Sequence, residues 1–334
     1  MTSTQATEPI SARAFWVTEP GHGELREARL AELDDDQVLV RALFSGISRG
    51  SESLVFRGQV PMSEYQRMRA PFQDGDFPGP VKYGYCSVGE VIGGADDRMG
   101  QRVFCLYPHQ SHYVVPADSV MVLPDDVPSE RAILAANMET ALNGLWDSQA
   151  SAGDRISIVG AGVVGALFAW LAGQLPGTEV TMIDINPQRS ALAETLGVEF
   201  ALPDQARDNQ DVVIHTSASE SGLETALNLA GFEARVIEMS WYGQHEPQVA
   251  LGGAFHSRRL DLISSQVGQL PADRRSRWNY RRRLGTAIAL LNDPQLDKLI
   301  SGESSFEQLP ELMAKLSQTP DGALCHRVRY QQDA

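Results

Sequence analysis

One glycine-rich segment constrains the fold of this chain more than any other feature. Gly160, Gly162 and Gly165 follow a run of β-branched residues and open an apolar helical pattern over 163–175. Glycines at these places allow a tight turn after a strand, a close backbone approach to a pyrophosphate, and close packing of a helix on a strand. The unpaired N–H groups at the start of the helix favour an anion there. We therefore expect Gly160, Gly162, Val164 and Gly165 to bind a dinucleotide.

An acidic residue ends the next predicted strand. This strand covers 179–184, and its last residue, Asp184, lies about 20 residues beyond the glycines, as in dinucleotide-binding folds. A carboxylate at this place accepts hydrogen bonds from the ribose hydroxyls and repels a 2′-phosphate. The expected cofactor is therefore NAD, with NADP disfavoured. Arg189 follows closely and would soften that preference by attracting a phosphate.

Strands and helices alternate beyond residue 129, starting with an amphipathic helix predicted over 129–147. The predicted strands of this region cover 155–159, 179–184, 212–216, 235–239 and 261–267. The alternation predicts an α/β fold with a doubly wound, parallel sheet, a Rossmann domain over 129–269. We expect this sheet to be six-stranded, with one strand more than the pattern locates. Ligands bind at the carboxyl ends of such strands, so we expect Ser217, Ser240 and Gln266 to contact the nicotinamide ribose and carboxamide. For each of them an ordinary role in a polar loop stays open.

The chain before residue 129 has a different rhythm. Short apolar and β-branched runs at 38–44, 88–92, 102–106 and 113–115 lie between Gly, Pro and Asp residues, which predicts a β-rich domain. The end of the chain again departs from regular alternation, with helices predicted at 275–292 and 305–316 and a final strand at 326–330. We therefore expect residues 1–128, completed by 270–334, to form one domain into which the nucleotide domain is inserted.

Charge and cysteine content narrow the possible partners. The 334 residues carry a formal net charge of -15, and a field of this sign repels nucleic acid and anionic membranes. The three cysteines are far apart and have no C-x-x-C spacing, which argues against a disulfide framework. Residues 1–10 lack the basic and apolar regions of a signal peptide. The expected location is the cytoplasm, and the expected partner is a small-molecule substrate.

Several segments along the chain resemble one enzyme superfamily. They are Gly46-Ile-Ser-Arg-Gly-Ser-Glu52, Gly84-Tyr-Cys-Ser-Val-Gly-Glu-Val91, Gly100-Gln-Arg-Val-Phe, Val115-Pro-Ala-Asp118, Asn137-Met-Glu-Thr-Ala-Leu142 and Gly153-Asp-Arg-Ile-Ser-Ile-Val-Gly-Ala-Gly162. Together they resemble the medium-chain dehydrogenase/reductase superfamily, the proteins that are similar to zinc-type alcohol dehydrogenases. They are most similar to the zinc-free branch typified by 2-desacetyl-2-hydroxyethyl bacteriochlorophyllide a dehydrogenase. The resemblance implies a GroES-like β-rich catalytic domain and a Rossmann domain. It also implies a homodimer formed through the edge strand of the nucleotide domain, either 235–239 or 261–267.

The resemblance also reveals a departure at the metal site. Zinc-dependent members carry Cys in the first segment, His-Glu after the glycine of the second, and a third ligand in the helix before the Rossmann domain. Here those positions hold Ser48, then Tyr85 and Cys86, then Glu139. A catalytic zinc needs three protein ligands and an open position, and only Cys86 and Glu139 are of the right type. We therefore expect no zinc. By the same resemblance, Arg49 is expected to contact the cofactor pyrophosphate.

Without zinc, a side chain must exchange a proton with the substrate oxygen. The candidates are Tyr85, Glu139, Ser48 and Lys82, because the resemblance places three of them around the vacated metal site. Lys82 would act by lowering the pKa of the Tyr85 phenol, although the two residues are expected to point to opposite faces of a strand. In the alternative interpretations, Tyr85 forms part of the pocket wall and Glu139 forms an ion pair within its helix.

The sequence leaves three functions open. The first is an NAD-dependent, zinc-independent dehydrogenase that acts on a secondary alcohol or the matching ketone. The second is an NADPH-dependent reductase of enones or quinones, which Asp184 disfavours. The third is a catalytically silent NAD-binding protein. An arginine-rich segment, 274–283, would either receive an anionic substrate or pair with surface carboxylates.

Overall fold

A computed structural model describes residues 11–318 and 322–331, so the segment 1–10, for which we expect no signal peptide, lies outside the described residues. The described chain forms two compact units. The first unit takes residues 11–123, 303–318 and 326–331, and the second takes 124–302 and 322–325.

The strands follow in chain order as β1 Ala12–Glu19, β2 His22–Ala28, β3 Gln37–Ile47, β4 Asp74–Gly75, β5 Val81–Lys82, β6 Ser87–Gly94, β7 Arg102–Cys105, β8 His112–Pro116, β9 Val120–Val122, β10 Arg155–Val159, β11 Glu179–Ile183, β12 Glu199–Ala201, β13 Gln210–His215, β14 Ala230–Glu238, β15 Asp261–Ser264, β16 Ile300–Ser305 and β17 Cys325–Arg329. The helices are α1 Arg49–Phe56, α2 Ser129–Ala132, α3 Ala135–Ser148, α4 Val163–Gly173, α5 Ser190–Thr195, α6 Glu220–Leu229, α7 Tyr280–Ala289 and α8 Leu309–Gln318.

The first unit is built on two sheets. One sheet has the strand order β2-β1-β5-β4, and the other has the order β16-β17-β3-β6-β7-β9, with β8 paired to β3. Along β3, Val38, Val40 and Ala42 are buried while the residues between them are not, which is the period of two that a half-buried strand requires. Val38 and Val40 share a core with residues of β6 to β9 and with Tyr107, which follows β7 and stacks its ring on that of Tyr113 in β8. The strand pattern read from the sequence is confirmed here.

The second unit contains a parallel six-stranded sheet in the order β12-β11-β10-β13-β14-β15. The order reverses between β10 and β13, so the carboxyl ends of these two strands flank a crevice of the kind in which ligands bind. Ile156 and Ile158 of β10 are fully buried, because helices cover both faces of a sheet of this type. The predicted doubly wound sheet is confirmed.

Two stretches differ from the sequence-based expectations. The helix expected over 129–147 is divided into α2 and α3, and the helix expected from residue 275 begins only at Tyr280, where the Asn279 side chain accepts the backbone N–H of Arg282. The residues 270–302, which the sequence analysis assigned to the first domain, group with the second unit. The reason is visible in side-chain contacts: Trp278 packs on Trp146 of α3, with ring centroids 4.6 Å apart.

Cys86, Cys105 and Cys325, all within the described residues, are buried and form no disulfide bond. Within residues 11–318 and 322–331, no helix combines the length and the apolar character needed to cross a membrane.

The central strand of the parallel sheet gives a test of the fold. Ile158→Ala removes a fully buried side chain, and we expect the free energy of unfolding to fall by about 2–5 kcal/mol through lost transfer energy and a residual cavity. Ile185→Ala is the matched control, because this side chain is 85% exposed and its loss should cost less than about 0.5 kcal/mol. Urea unfolding measures the free energy of unfolding of both variants. Equal decreases in the two variants would contradict the burial of β10.

Candidate functional site

The turn between β10 and α4 has the geometry of a phosphate cradle. Gly160 has a φ of 109°, a conformation that side chains other than glycine rarely adopt. A Cβ on Gly160 would lie 2.7 Å from the backbone nitrogen of Ser217, and a Cβ on Gly165 would collide with the Gly160 carbonyl oxygen. A Cβ on Gly162 would meet nothing within 4 Å, so this backbone faces open space at the start of α4. Val164 lies half-buried in the first turn of that helix.

Asp184 is tied to this turn. It follows β11, and its Oδ2 accepts the backbone N–H of Ala161 at 2.7 Å while its Oδ1 accepts that of Asn186 at 2.9 Å. The half-buried carboxylate therefore has a fixed orientation and keeps further lone pairs for hydroxyl donors. Arg189 lies close enough to feel this charge: burial lowers the pKa of its guanidinium, and Asp184 opposes the change. The guanidinium donates to the carbonyl of Gly322 at 2.9 Å.

The carboxyl ends of the neighbouring strands complete this edge of the sheet. The Thr216 hydroxyl donates to the Gly160 carbonyl at 2.8 Å, which brings the end of β13 onto the glycine turn. The exposed Ser217 follows directly, and Ser240 after β14 accepts the backbone N–H of Ala218 at 3.1 Å. Gln266 lies beyond β15, where its side-chain oxygen accepts the backbone N–H of Gly268 at 2.7 Å. These side chains occupy the edge predicted for them, and their contact with a cofactor stays a prediction.

The sequence analysis missed two residues at this edge. His215 and Glu238 are the last residues of β13 and β14, and the parallel register sets them side by side. The His215 Nδ1 lies 2.7 Å from Glu238 Oε2, and its Nε2 lies 2.6 Å from Ser217 Oγ. Burial would raise the pKa of the Glu238 carboxyl, but hydrogen bonds from His215 and Ser240 outweigh burial and lower it. The sequence places each residue one position before the end of a predicted strand, 212–216 or 235–239, but it does not contain the strand register that pairs them.

In the first unit, the structure brings Tyr85 and Ser48 together. The side chains of Ser48 and Ser51 hydrogen-bond to the half-buried Tyr85 side chain. Burial raises the pKa of the Tyr85 phenol well above its usual value. The expectation that a lysine lowers this pKa is therefore wrong, because desolvation dominates at this position. Arg49, the first residue of α1, follows Ser48 and is half-buried.

A buried hydrogen-bonded network supports Ser48. The Ser48 backbone N–H donates to Glu52 Oε1 at 2.7 Å, and Glu52 Oε2 lies 2.8 Å from His109 Nε2. His109 Nδ1 lies 2.7 Å from the Ser45 hydroxyl, which lies 3.0 Å from the hydroxyl of Tyr330. All of these side chains are at least nine-tenths buried. A fully paired buried network of this kind holds its members in one geometry.

Lys82 lies in a different environment from Tyr85. Its Nζ donates to Gln110 Oε1 at 2.9 Å and lies 5.4 Å from the centroid of the Tyr107 ring. Burial lowers the pKa of the Lys82 ammonium, and Asp74 partly opposes the change. These residues, with Trp16, line a cavity of about 350 Å³ in the first unit. The structure thus does not bring Lys82 into the Tyr85–Ser48 pair.

Glu139 is engaged in a buried ion pair within the second unit. The Arg283 Nε lies 3.0 Å from Glu139 Oε1, and both side chains are less than a tenth exposed. The same guanidinium donates to Asn143 of α3 and to the carbonyls of Val267 and Gln269. Burial raises the pKa of the Glu139 carboxyl, and Arg283 opposes that rise. The sequence-based alternative of an ion pair therefore describes Glu139, although its partner comes from α7 rather than from its own helix.

Comparisons with known proteins agree with this architecture. No protein-family model matches the chain. It is 24% identical over 359 aligned positions to an uncharacterized zinc-type alcohol dehydrogenase-like protein of Haemophilus influenzae, covering 93% of this chain and 97% of the relative. It is 23% identical over 343 positions to a D-guloside 3-dehydrogenase of Escherichia coli K12, covering 91% and 97% of the two chains.

Solved structures show the same fold. A protein described as a zinc-binding dehydrogenase from Sinorhizobium meliloti 1021, bound to NADP, superposes with a TM-score of 0.77 at 18% identity, covering 96% of this chain and 99% of the other. An alcohol dehydrogenase from Escherichia coli CFT073, complexed with NADH, gives a TM-score of 0.76 at 16% identity and the same coverage. The named relatives and neighbours are dehydrogenases.

The Glu139–Arg283 pair predicts a stability effect with a pH signature. Arg283→Leu leaves the Glu139 carboxylate buried without its counter-ion, so the free energy of unfolding should fall by about 3–5 kcal/mol at neutral pH. The pKa of Glu139 is already raised by burial, and without Arg283 its folded-state pKa rises further. The folded variant then binds a proton that the unfolded chain releases, so its stability should fall as pH rises above the ordinary carboxyl range.

Urea unfolding at about pH 5.5 and about pH 7.5 measures this dependence. Arg282→Leu is the control, because the exposed Arg282 lies over the Trp278 ring at 3.8 Å and its loss should cost less than about 1 kcal/mol. Equal, pH-independent losses in the two variants would contradict the buried pair.

Proposed function

We propose that this chain, whose relatives and structural neighbours are zinc-type alcohol dehydrogenase-like members of the medium-chain dehydrogenase/reductase superfamily, is an NAD(H)-dependent oxidoreductase. It transfers hydride between nicotinamide and a secondary alcohol or the matching ketone. The observation that carries the proposal is the glycine turn 160–165 locked by Asp184. The name of the Escherichia coli relative, D-guloside 3-dehydrogenase, supports an alcohol substrate.

The residues at the turn fit a dinucleotide. Gly162 leaves the start of α4 uncovered, so the backbone N–H groups there would hold the pyrophosphate. Asp184 would accept hydrogen bonds from the adenosine ribose, because its oxygens are aimed by Ala161 and Asn186. When bound, the nicotinamide would accept or donate the hydride.

Asp184 also supports NAD over NADP. A 2′-phosphate on the adenosine ribose would meet a carboxylate whose position is fixed by two backbone donors. Arg189, whose charge interacts with that of Asp184, donates from its guanidinium to the Gly322 carbonyl. Structural neighbours have been solved with NADP and with NADH, so the fold accepts both cofactors and this choice depends on local residues.

The donor set of the chain does not fit a catalytic zinc. Of the four side chains at the corresponding positions, Ser48 and Tyr85 are not metal ligands of the required type, and the Glu139 carboxylate is paired with Arg283. Among the described residues, no group of three or more His, Cys, Asp or Glu side chains is arranged to hold a metal ion. We therefore propose a zinc-independent reaction, supported by the chemistry of these donors.

Proton exchange with the substrate oxygen is assigned to Tyr85, with Ser48 as its partner. Because burial raises the pKa of the phenol, Tyr85 stays protonated at neutral pH and donates a hydrogen bond. A neutral donor of this kind stabilises the negative charge that develops on a ketone oxygen as hydride arrives. Glu52 holds the Ser48 backbone in place and is itself held by His109.

We also propose a homodimer formed through β15 and a cytoplasmic location. The strand β15 is an edge of the parallel sheet, and its Leu262 is 38% exposed. Unpaired edges of this kind are covered by a partner or blunted by charge. The three buried cysteines, which form no disulfide bond, agree with a reducing compartment.

Tyr85→Phe tests the catalytic assignment. The variant keeps the ring and removes the hydroxyl, so we expect kcat for ketone reduction to fall by about 10²–10⁴-fold, with NADH binding unchanged. Tyr65→Phe is the control, because Tyr65 contributes its ring to Phe77 in an edge-on contact. Steady-state and single-turnover rates on a panel of ketones and secondary alcohols, with zinc content measured in parallel, give the readout. Full activity in Tyr85→Phe, or activity that follows stoichiometric zinc, would overturn the assignment.

Asp184→Ala tests the cofactor preference. Removal of the carboxylate abolishes the repulsion of a 2′-phosphate and leaves Arg189 nearby, so the ratio of kcat/KM for NADPH to that for NADH should rise by about 10-fold or more. Glu179→Ala, which removes an exposed carboxylate at the amino end of the same strand β11, should leave the ratio unchanged. A wild-type enzyme that prefers NADPH would favour an enone or quinone reductase instead.

A further inference from the structure

A continuous chain of hydrogen bonds runs along the carboxyl ends of β13 and β14. The backbone N–H of Gly222 donates to Ser219 Oγ at 3.1 Å, and Ser219 Oγ lies 2.8 Å from Ser217 Oγ. Ser217 Oγ lies 2.6 Å from His215 Nε2, and His215 Nδ1 lies 2.7 Å from Glu238 Oε2. The chain therefore begins at a backbone amide in the first turn of α6 and ends at a carboxylate.

When the His215 imidazole is neutral, the two ends fix the direction of every bond between them. A backbone N–H can only donate, and a carboxylate can only accept. Glu238 also receives the backbone N–H of Ser240 at 2.8 Å and the hydroxyl of Tyr242 at 3.1 Å. These donors stabilise the ionised form of the Glu238 carboxyl and lower its pKa, and a neutral His215 beside this carboxylate carries its proton on Nδ1.

The remaining protons follow from this tautomer. The bare Nε2 of neutral His215 is an acceptor, so the Ser217 hydroxyl must donate to it. Ser219 accepts from Gly222 and has its own proton left to donate to Ser217. The Ser217 hydroxyl thus donates its hydrogen bond to His215, accepts one hydrogen bond from Ser219, and has one lone pair left. Toward any ligand it acts as an acceptor only.

That lone pair lies beside the dinucleotide cradle. Ser217 is exposed, and its backbone is so close to Gly160 that a Cβ on this glycine would lie 2.7 Å from the Ser217 nitrogen. His215, by contrast, is fully buried, so it acts on a ligand only through Ser217.

We propose that, with His215 neutral, Ser217 is an acceptor-only site for a ribose hydroxyl of the bound dinucleotide, and that His215 and Glu238 are positioning residues that set this polarity. A ribose hydroxyl donates a hydrogen bond and fits the lone pair, whereas a phosphate oxygen would place acceptor against acceptor. The inference rests on the proposed nucleotide binding and adds the two residues that orient the acceptor.

Ser217→Ala removes the acceptor and should raise the Kd for NADH by about 2- to 12-fold, the range for one neutral hydrogen bond. Ser217→Thr keeps a hydroxyl on the same carbon and should restore most of the affinity. Ser221→Ala is the matched control, since this exposed serine lies on the same first turn of α6 and outside the chain of hydrogen bonds. Fluorescence titration with NADH measures all three variants.

Deoxyribose analogues of NADH identify the bonded group. With the analogue that lacks the bonded hydroxyl, wild type and Ser217→Ala should bind with equal Kd, because the partner of Ser217 is gone. His215→Phe fills a similar volume but removes the acceptor for the Ser217 proton, so it should weaken NADH binding through the same bond. The double variant should then bind no more weakly than Ser217→Ala alone, whereas a purely structural role for His215 predicts additive losses.

The outcomes separate the inference from the proposed function. A wild-type protein that binds neither NADH nor NADPH would overturn both. If Ser217→Ala binds NADH as tightly as the wild-type protein does, the inference alone is overturned. It is also overturned if Ser217→Ala binds every deoxyribose analogue more weakly than the wild-type protein does. If His215→Phe does not fold, the Ser217 variants and the analogues still decide.

Discussion

Helix α4 lies against the end of β10 because Gly160 and Gly165 carry no side chains. The Gly160 carbonyl occupies the space that a Cβ of Gly165 would need, and the same carbonyl receives the Thr216 hydroxyl at 2.8 Å. Asp184 holds the turn from the other side through Ala161. This one close approach therefore gathers the ends of β10, β11 and β13 at a single edge, and each group proposed to bind the cofactor in the second unit depends on it.

Burial sorts the ionisable groups of the chain into different roles. Glu139 of α3 is buried and forms an ion pair with Arg283. Because the same guanidinium donates to the Val267 carbonyl, Arg283 links α3 to the loop after β15. Tyr85 is kept neutral by desolvation, which makes it a donor rather than a base. Glu238 keeps its charge because His215, Ser240 and Tyr242 all donate to it. Residue type alone would not separate these three cases, since their surroundings decide which form persists.

The elements that the sequence predicted well are those whose signal is local. The strand expected at 155–159 coincides with β10, because β-branched residues there lie between turn-forming residues. The strand β2 was missed, since its residues are partly exposed and its pairing with β1 depends on a neighbour across a turn. The division between α2 and α3 was missed as well, because the apolar pattern continues through it.

The candidate site divides in the same way. The glycine turn and Asp184 follow from spacing along the chain, and the structure joins them by a hydrogen bond. The partner of Glu139 could not be predicted, because Arg283 is 144 residues away and on another helix. The pairing of His215 with Glu238 requires the register of two parallel strands, which no local pattern contains.

The central claim is that the turn 160–165, with Asp184, binds an adenine dinucleotide and favours the form without a 2′-phosphate. Equilibrium titration of the purified wild-type protein with NADH and with NADPH, followed by nucleotide fluorescence, tests it most directly. The account predicts saturable binding of both nucleotides, with a Kd for NADH lower by about 10-fold or more. If the protein binds neither NADH nor NADPH, the account is contradicted.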